Sequence, residues 1–328
     1  MVELALNTLD QYDLEIKGVR RGRDSWIISG KEGEFVLKEY KGSENKLKLQ
    51  KMLTDQIERE SGVLVQQIVA NKEGNMLTKD AEENTYVLET FMEGRECNVK
   101  EKKDCTSAIE TLATMHKCMQ LPKTPETESI TPYSLKREFE KRNTELRRIR
   151  RYLKEKRQKN EFERFLYKHI SNFLEQGLEV EKEWEYYEKQ GTPSEAEQTF
   201  CHGDYQHHNV WMNYNEIMVL QFEKFTPDMP CRDLYLFLRK LLEKNNWDVT
   251  IGKEMLDVYQ KERRLPYQEQ ISLIYRFAYP EKFWKIANYY FNGKKSFIPE
   301  KSMEKLEKLL EQEAAKKAFI NRILRAVN

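Results

Sequence analysis

The chain has 328 residues, of which 39% are hydrophobic and 34% are charged, and its formal net charge is +1. This length can bury a sizeable core, either as one large domain or as two lobes. The near-neutral charge argues against nucleic acid or an anionic membrane surface as a partner. Five cysteines without CxxC spacing predict reduced thiols. Neither a signal peptide nor a spanning apolar run is evident, so we expect synthesis in the cytoplasm and no membrane span.

The first ninety residues carry a strand pattern. Short runs rich in Val, Ile, Tyr and Phe alternate with Gly and Asn turns, in YDLEIKGV, SWIISGK, GEFVLKEY, GVLVQQIVA and NTYVLETFM. One helix interrupts them, with Ser43 as its N-cap and an apolar face from Leu47 to Ile57. From Asn98 onward helical spacing dominates. We therefore predict an α+β protein with a β-rich N-terminal lobe over residues 1–92 and a larger helical lobe over residues 93–328.

The stretch FCHGDYQHHNVWM, residues 200–212, concentrates polar chemistry between two strand-like flanks. His202, Asp204 and Asn209 fit the pattern HxDxxxxN. In phosphoryl transfer such a loop supplies an aspartate as base for the acceptor hydroxyl and an asparagine for Mg²⁺, while the histidine braces the loop. A zinc site is the alternative, formed by His202, His207 and His208 with Asp204 or Cys201, but no CxxC or HExxH accompanies them.

Other parts of a phosphotransferase occur in the expected order. Lys38 lies on the third strand, where a lysine would hold the α- and β-phosphates, although it could also be an ordinary edge-strand lysine. YVLETFMEGREC follows as a hinge whose backbone would bind adenine, with Glu89, Thr90, Phe91 and Met92 as candidates. The helix AIETLATMHKCM then precedes the loop. ATP and Mg²⁺ are therefore the candidate cofactors.

With these blocks the chain resembles the aminoglycoside-phosphotransferase and choline-kinase branch of the protein-kinase-like superfamily. Within that branch it resembles the spore coat protein S (CotS-like) family, through the blocks RDLYLFLRK and YPEKFWK. The resemblance implies a two-lobed kinase-like fold, synthesis in the mother cell, incorporation into the spore coat, and other coat proteins as partners. It also implies that Asp233 fixes the catalytic loop through hydrogen bonds; the alternative is an N-cap of the following helix.

The sequence departs from active members of the superfamily at the metal position. The segment VLQFEKF places Gln221 where the resemblance implies a metal-binding aspartate. A glutamine offers only a neutral carbonyl oxygen to a hard cation, so we expect weak or absent metal binding. Glu223 lies two residues further on, and we expect it to reach the metal only if the strand is interrupted by a bulge.

Two further departures concern the phosphates. The turn KGVRRGRDSW lacks GxGxxG, although Arg20, Arg21, Arg23 and Ser25 could hold an anion there. The resemblance also implies a glutamate on the first helix as partner of Lys38, and Glu44, Glu58 and Glu60 are the alternatives.

A densely basic segment spans residues 136–159 and is predicted to be helical. Its apolar residues Phe139, Leu146, Ile149 and Leu153 indicate a solvated helix that packs through this stripe. The alternative is a docking surface for acidic partners or a lining for an anionic substrate.

Two functions follow from these observations. The first is a structural or assembly protein of the spore coat on a phosphotransferase scaffold, with weak or lost activity and weak or absent ATP binding. The alternative is an active Mg-ATP-dependent phosphotransferase for a small hydroxyl or amine substrate, which would use Asp204, Asn209 and Lys38.

Overall fold

The computed structural model describes residues 2–22, 24–189, 198–214, 216–292 and 299–324. The strands are β1 (Ile16–Arg21), β2 (Trp26–Gly30), β3 (Glu34–Glu39), β4 (Leu64–Val65), β5 (Ile68–Val69), β6 (Thr78–Lys79), β7 (Thr85–Phe91), β8 (Arg95–Glu96), β9 (Gln120–Leu121), β10 (Gln198–Cys201), β11 (Val210–Met212), β12 (Ile217–Val219) and β13 (Thr226–Pro227). The α-helices are α1 (Val2–Asn7), α2 (Glu44–Ser61), α3 (Lys102–His116), α4 (Pro125–Glu128), α5 (Leu135–Glu155), α6 (Glu161–Lys189), α7 (Cys231–Lys244), α8 (Val249–Glu262), α9 (Tyr267–Ala278), α10 (Glu281–Asn292) and α11 (Pro299–Phe319).

The N-terminal strands form one antiparallel sheet in the order β1-β2-β3-β7-β5, with β6 also paired to β7. The predicted run GVLVQQIVA is two short strands rather than one, because β5 joins this sheet whereas β4 pairs with β12 in another. The hydrophobic side chains of this sheet pack with the N-terminal turn around Ile28, Leu37 and Leu88. Strand β3 lies inside the sheet, so Lys38 is not on an edge strand.

Helix α2 begins where its cap residue predicts. The Ser43 hydroxyl accepts a hydrogen bond from the Lys46 backbone N–H at 3.2 Å, which satisfies one of the free amides of the first turn. Leu47, Leu53 and Ile57 are buried. Together with the sheet, this confirms the predicted α+β fold with a β-rich N-terminal part and a larger helical part.

The chain divides into two compact units. The first comprises Met1–Pro132, Glu197–Phe237 and Val258–Arg263; the second comprises Tyr133–Ala196, Leu238–Asp257 and Arg264–Asn328. This division groups residues by compactness, so the predicted lobe boundary at residue 92 stays a prediction. No helix in the described ranges is both long enough and apolar enough to cross a membrane.

The second unit is built on helices that bury apolar stripes. The basic segment at 136–159 forms most of α5, and its stripe Phe139, Leu146, Ile149 and Leu153 is buried as predicted. Stacked rings of Phe173 and Phe283, with centroids 4.2 Å apart, lie in the same core cluster as Leu146, Ile149 and Leu153. The docking function of the basic face stays a prediction.

Candidate functional site

The loop after β10 is held by a buried carboxylate. Asp233 accepts hydrogen bonds from the backbone N–H groups of His202 at 2.6 Å and Gly203 at 2.9 Å. Burial raises the pKa of Asp233, but hydrogen bonding from His116 and the nearby positive charges outweigh it, so the pKa lies below its ordinary value. Helix α7 begins at Cys231, so Asp233 lies inside its first turn and is not an N-cap. Its contacts are those of a loop-fixing residue.

His202 braces the loop from inside. Its Nε2 lies 2.7 Å from the Leu220 carbonyl oxygen, and its Nδ1 lies 3.1 Å from the Asp204 backbone N. The carbonyl requires a donor and the N–H requires an acceptor, so this geometry fits the neutral imidazole with its proton on Nε2. Burial lowers the pKa of His202, which favours the same neutral form.

Gly203 allows the loop to pass close to the next turn. Its φ is +80°, and a Cβ placed there would lie 2.1 Å from the carbonyl oxygen of Lys224. Only glycine fits this position without moving one of the two backbones.

Asp204 and Asn209 form the polar end of the loop. The Asp204 carboxylate accepts a hydrogen bond from Lys224 Nζ at 2.7 Å and another from the Gln206 amide. Partial burial raises the pKa of Asp204, but Lys224 and Gln206 outweigh it, so the pKa lies below its ordinary value. Asn209 Nδ2 donates to the Asp204 carbonyl oxygen at 2.8 Å. The loop is thus ordered, and its carboxylate is already paired with a lysine.

Lys38 lies between two carboxylates. Its Nζ is 2.5 Å from Glu89 Oε2 and is also in contact with Glu223 Oε1. Glu89 is fully buried, and its other oxygen accepts a hydrogen bond from Gln50 Nε2 at 3.1 Å. The partner of Lys38 is therefore on β7 and not on helix α2, where Gln50 carries a neutral amide.

None of the helix glutamates considered from the sequence forms an ion pair with Lys38. Glu44 pairs with Lys48 at 2.8 Å, Glu60 pairs with Arg59 at 3.3 Å, and Glu58 accepts the Val65 backbone N–H at 3.3 Å. The partner of Lys38 is therefore Glu89 rather than one of these three glutamates. The sequence analysis considered only helix glutamates, so the strand residue Glu89 was not among the candidates for this role.

The segment that contains Gln221 is not a continuous strand. Strand β12 ends at Val219, and Gln221 adopts a left-handed conformation with φ 69° and ψ 59°. Phe222–Lys224 then form a 3₁₀ turn. The turn interrupts the strand, which is the condition that we expected for Glu223 to reach the metal position. It places the Glu223 carboxylate against Lys38 instead.

A cavity of about 740 Å³ in the first unit brings most of these residues together. Of the residues predicted from sequence, Lys38, Phe91, Asp204, Asn209 and Gln221 line it. His202 and Glu89 are buried behind it, and Met92 is not among its lining residues.

Trp211 is a lining residue that the sequence analysis missed. Its ring lies 5.3 Å from that of Phe91, centroid to centroid, and both rings line the cavity. This pair provides an apolar wall of the kind that stacks on a planar ring. The signal was available: Trp211 alternates with buried residues in β11, so its ring lies on the other face of that strand.

In its described residues, the turn expected to cover the phosphates contributes little positive charge to the cavity. Gly22, Asp24 and Ser25 line the cavity, whereas Arg20 and Arg21 do not. Arg23 lies outside the described residues. The guanidinium of Arg21 instead lies 5.5 Å from the ring centroid of Trp26.

The donor set for Mg²⁺ is poor. Asn209 and Gln221 offer neutral oxygens, and the nearby carboxylates of Asp204 and Glu223 are paired with Lys224 and Lys38. Magnesium favours one or two free carboxylates together with water and phosphate oxygens. Across the described ranges, no three His, Cys, Asp or Glu side chains are grouped to hold a metal. The residues present therefore do not fit a magnesium site of the usual composition.

The sequence model of the family described as "Spore coat putative kinase YutH" matches residues 7–323. The chain belongs to this family. The match covers nearly the whole chain and confirms the resemblance seen in its motifs. A comparison with curated protein sequences gives no match.

Solved phosphotransferase structures share the fold of this YutH-family chain. An aminoglycoside phosphotransferase from Alicyclobacillus acidocaldarius subsp. acidocaldarius DSM 446 superposes with a TM-score of 0.82 at 16% identity, over 98% of this chain and 96% of that one. The AMP-bound spectinomycin phosphotransferase APH(9)-Ia gives 0.69 at 13% identity, over 99% and 98%. The amicoumacin kinase hAmiN, in complex with AMP-PNP, Ca²⁺ and Ami, gives 0.66 at 11% identity, over 100% and 97%. At these identities the likeness establishes the fold alone.

Proposed function

We propose that this protein is a structural or assembly component of the spore coat, built on a phosphotransferase scaffold whose phosphoryl transfer is weak or lost. Synthesis in the mother cell and contact with other coat proteins are parts of this proposal. One arrangement supports the loss of activity: Gln221 occupies the position where the resemblance implies a metal-binding aspartate, and Glu223, the carboxylate two residues away, is bound to Lys38.

The charge balance of the cavity supports this proposal. In an active site, Lys38 would face phosphates, and two ligand oxygens would face Mg²⁺. Here Lys38 is flanked by two carboxylates, so the group of three carries a net charge of −1. An incoming triphosphate must displace Glu223 from Lys38, and the carboxylates of Asp204 and Glu223, which would bring Mg²⁺, are already paired with lysines. Both effects oppose binding of MgATP.

Isothermal titration with ATP, with and without Mg²⁺, tests the proposal. The variants are Gln221→Asp and, as a matched control, Gln158→Asp at an exposed position. We expect wild type and the control to show no magnesium-dependent binding. Gln221→Asp should bind ATP at least tenfold more tightly with Mg²⁺ than without it, since the substitution restores a charged oxygen ligand. If neither wild type nor Gln221→Asp binds ATP, the phosphate turn, which lacks GxGxxG, contributes to the loss as well.

The second candidate is an active phosphotransferase for a small hydroxyl or amine substrate. The intact loop favours it: Asp204 is ionised, and Asn209 and Asp233 fix its backbone. Micromolar binding of MgATP by wild type would support this candidate and contradict the first proposal. Asp204→Asn tests the scaffold function in vivo. If the protein is a scaffold, fractionation of spores should show the variant in the coat at the same level as wild type.

A further inference from the structure

The second unit contains a cavity of about 540 Å³ that belongs to no part of the site described above. Eleven residues line it, of which seven are basic and one, Glu243, is acidic. The whole chain has nearly equal numbers of basic and acidic residues, 56 and 55. The composition of this cavity therefore departs sharply from that of the chain. Its lysines come from the end of α7, from α10 and from α11: Lys240, Lys244, Lys282, Lys285, Lys305 and Lys308.

Acidic neighbours compensate only part of this charge. Glu243 pairs with Arg239 at 2.9 Å and with Lys282 at 3.5 Å. Lys285 pairs with the buried Glu281. For Lys240, Lys244, Lys305 and Lys308, no carboxylate in the described part of the chain forms an ion pair. Four lysines that line one concave space thus form no ion pair with a described carboxylate, and Glu243 acts on Lys240 only from a distance.

Such an arrangement is unfavourable unless something else is bound there. Like charges around one cleft repel each other and focus the field into it, which raises the local concentration of anions. Lys240 is half-buried, and desolvation together with the charge of Arg239 lowers its pKa, although the charge of Glu243 offsets part of this effect. Placing a lysine among other cations where it is partly desolvated costs stability, which a bound anion would offset.

We propose that this cavity binds a small polyanion that carries several phosphate or carboxylate groups. The volume lies in the range of small-molecule sites, and each lysine ammonium provides three hydrogen-bond donors. The side chain of Ser302, buried and lining the same cavity, adds a hydroxyl. A concave site of this size favours a compact ligand over an acidic protein surface or a nucleic acid, which would need an extended basic face.

The test uses the full chain and inorganic tripolyphosphate as the probe, in titration calorimetry at 50 and 200 mM NaCl. We expect one molecule bound per chain, with affinity that falls as salt rises. The triple variant Lys240→Glu, Lys305→Glu, Lys308→Glu should weaken binding at least thirtyfold. A control triple with the same charge change, Lys168→Glu, Lys253→Glu, Lys317→Glu, alters residues of the second unit outside the cavity and should change binding by less than threefold.

Two further variants keep the test decisive. Lys41→Ala removes an exposed lysine that lines the other cavity and should leave tripolyphosphate binding unchanged. The pair Lys305→Gln, Lys308→Gln changes only exposed side chains, so it addresses the cavity if the triple fails to fold; it should weaken binding at least fivefold. Absence of binding to wild type overturns the proposal. So does an equal loss in both triples, which would indicate general charge attraction, or a loss in Lys41→Ala.

Discussion

Asp233→Asn should destabilise the protein strongly, although the change replaces one oxygen by a nitrogen. The carboxylate is fully buried and accepts three hydrogen bonds, from the backbone of His202 and Gly203 and from His116 Nε2 at 3.3 Å. An asparagine has one acceptor oxygen and an NH₂ group. Whichever way it is oriented, the NH₂ group faces at least one N–H donor, which then loses its acceptor.

The expected cost follows from these contacts. A hydrogen bond to a charged group contributes about 1.5–3 kcal/mol, and a buried donor left without an acceptor costs about 1–3 kcal/mol. Removing the charge weakens the bonds that remain, so the total loss in free energy of unfolding is about 3–5 kcal/mol, similar to breaking a buried ion pair. The matched control Asp55→Asn removes an exposed carboxylate paired with Lys51 and should cost below about 1 kcal/mol.

Denaturant unfolding followed by fluorescence measures both variants, and pH tests the cause. The folded-state pKa of Asp233 is lowered, so its contribution is fully present above the unfolded-state pKa and is lost as pH falls through the folded value. The difference between wild type and Asp233→Asn should therefore be constant from pH 8 to pH 5 and begin to shrink only below about pH 4. A cost no larger than that of Asp55→Asn, or a difference that already changes between pH 8 and pH 6, would refute the reasoning.

Two other substitutions test the geometry of the same unit. Gly203→Ala should destabilise the protein by at least about 2 kcal/mol more than Gly74→Ala, as measured by thermal unfolding. Both glycines have φ near +80°, but only a Cβ at Gly203 would meet a backbone atom, the Lys224 carbonyl oxygen. Equal costs would show that the backbone relaxes freely at this close approach. Lys38→Met should lower the free energy of unfolding in denaturant by about 3–5 kcal/mol, since it leaves Glu89 buried without a cation. Adding Glu89→Gln should recover much of that loss. Additive costs of the two substitutions would contradict a direct ion pair.

The fold could be predicted from sequence because its signals are local. Ser43 marks the start of α2 through a hydrogen bond within four residues. In β3, successive side chains point to opposite faces of the sheet, so Lys38 lies on the face opposite Leu37. The loop was equally readable, since His202, Asp204 and Asn209 have fixed spacing. These features depend on the neighbouring residues, which the sequence states directly.

The partners of these residues could not be predicted in the same way. Glu89 meets Lys38 because β3 and β7 are paired, with Lys38 opposite Val87 and Val36 opposite Glu89. Glu223 meets Lys38 because the chain leaves strand geometry at Gln221. Both contacts depend on tertiary structure. The resemblance assigns the partner of Lys38 to a glutamate on α2, and the sequence does not indicate that Gln50 is the α2 residue that contacts Glu89.

The exchange of charges around Lys38 has a physical consequence for the whole site. A glutamate on a helix can move with that helix, so its ion pair can form and break as a site opens and closes. Glu89 lies inside a sheet, paired on one side with Val36 and on the other with Ile68, and cannot move independently. The Lys38–Glu89 pair is therefore a fixed part of the core, whereas Glu223 lies on a short turn outside the sheet. Access of a phosphate to Lys38 therefore requires Glu223 to move away, whereas binding of Mg²⁺ depends on the oxygen ligand at Gln221, so the two residues act on separate steps of MgATP binding.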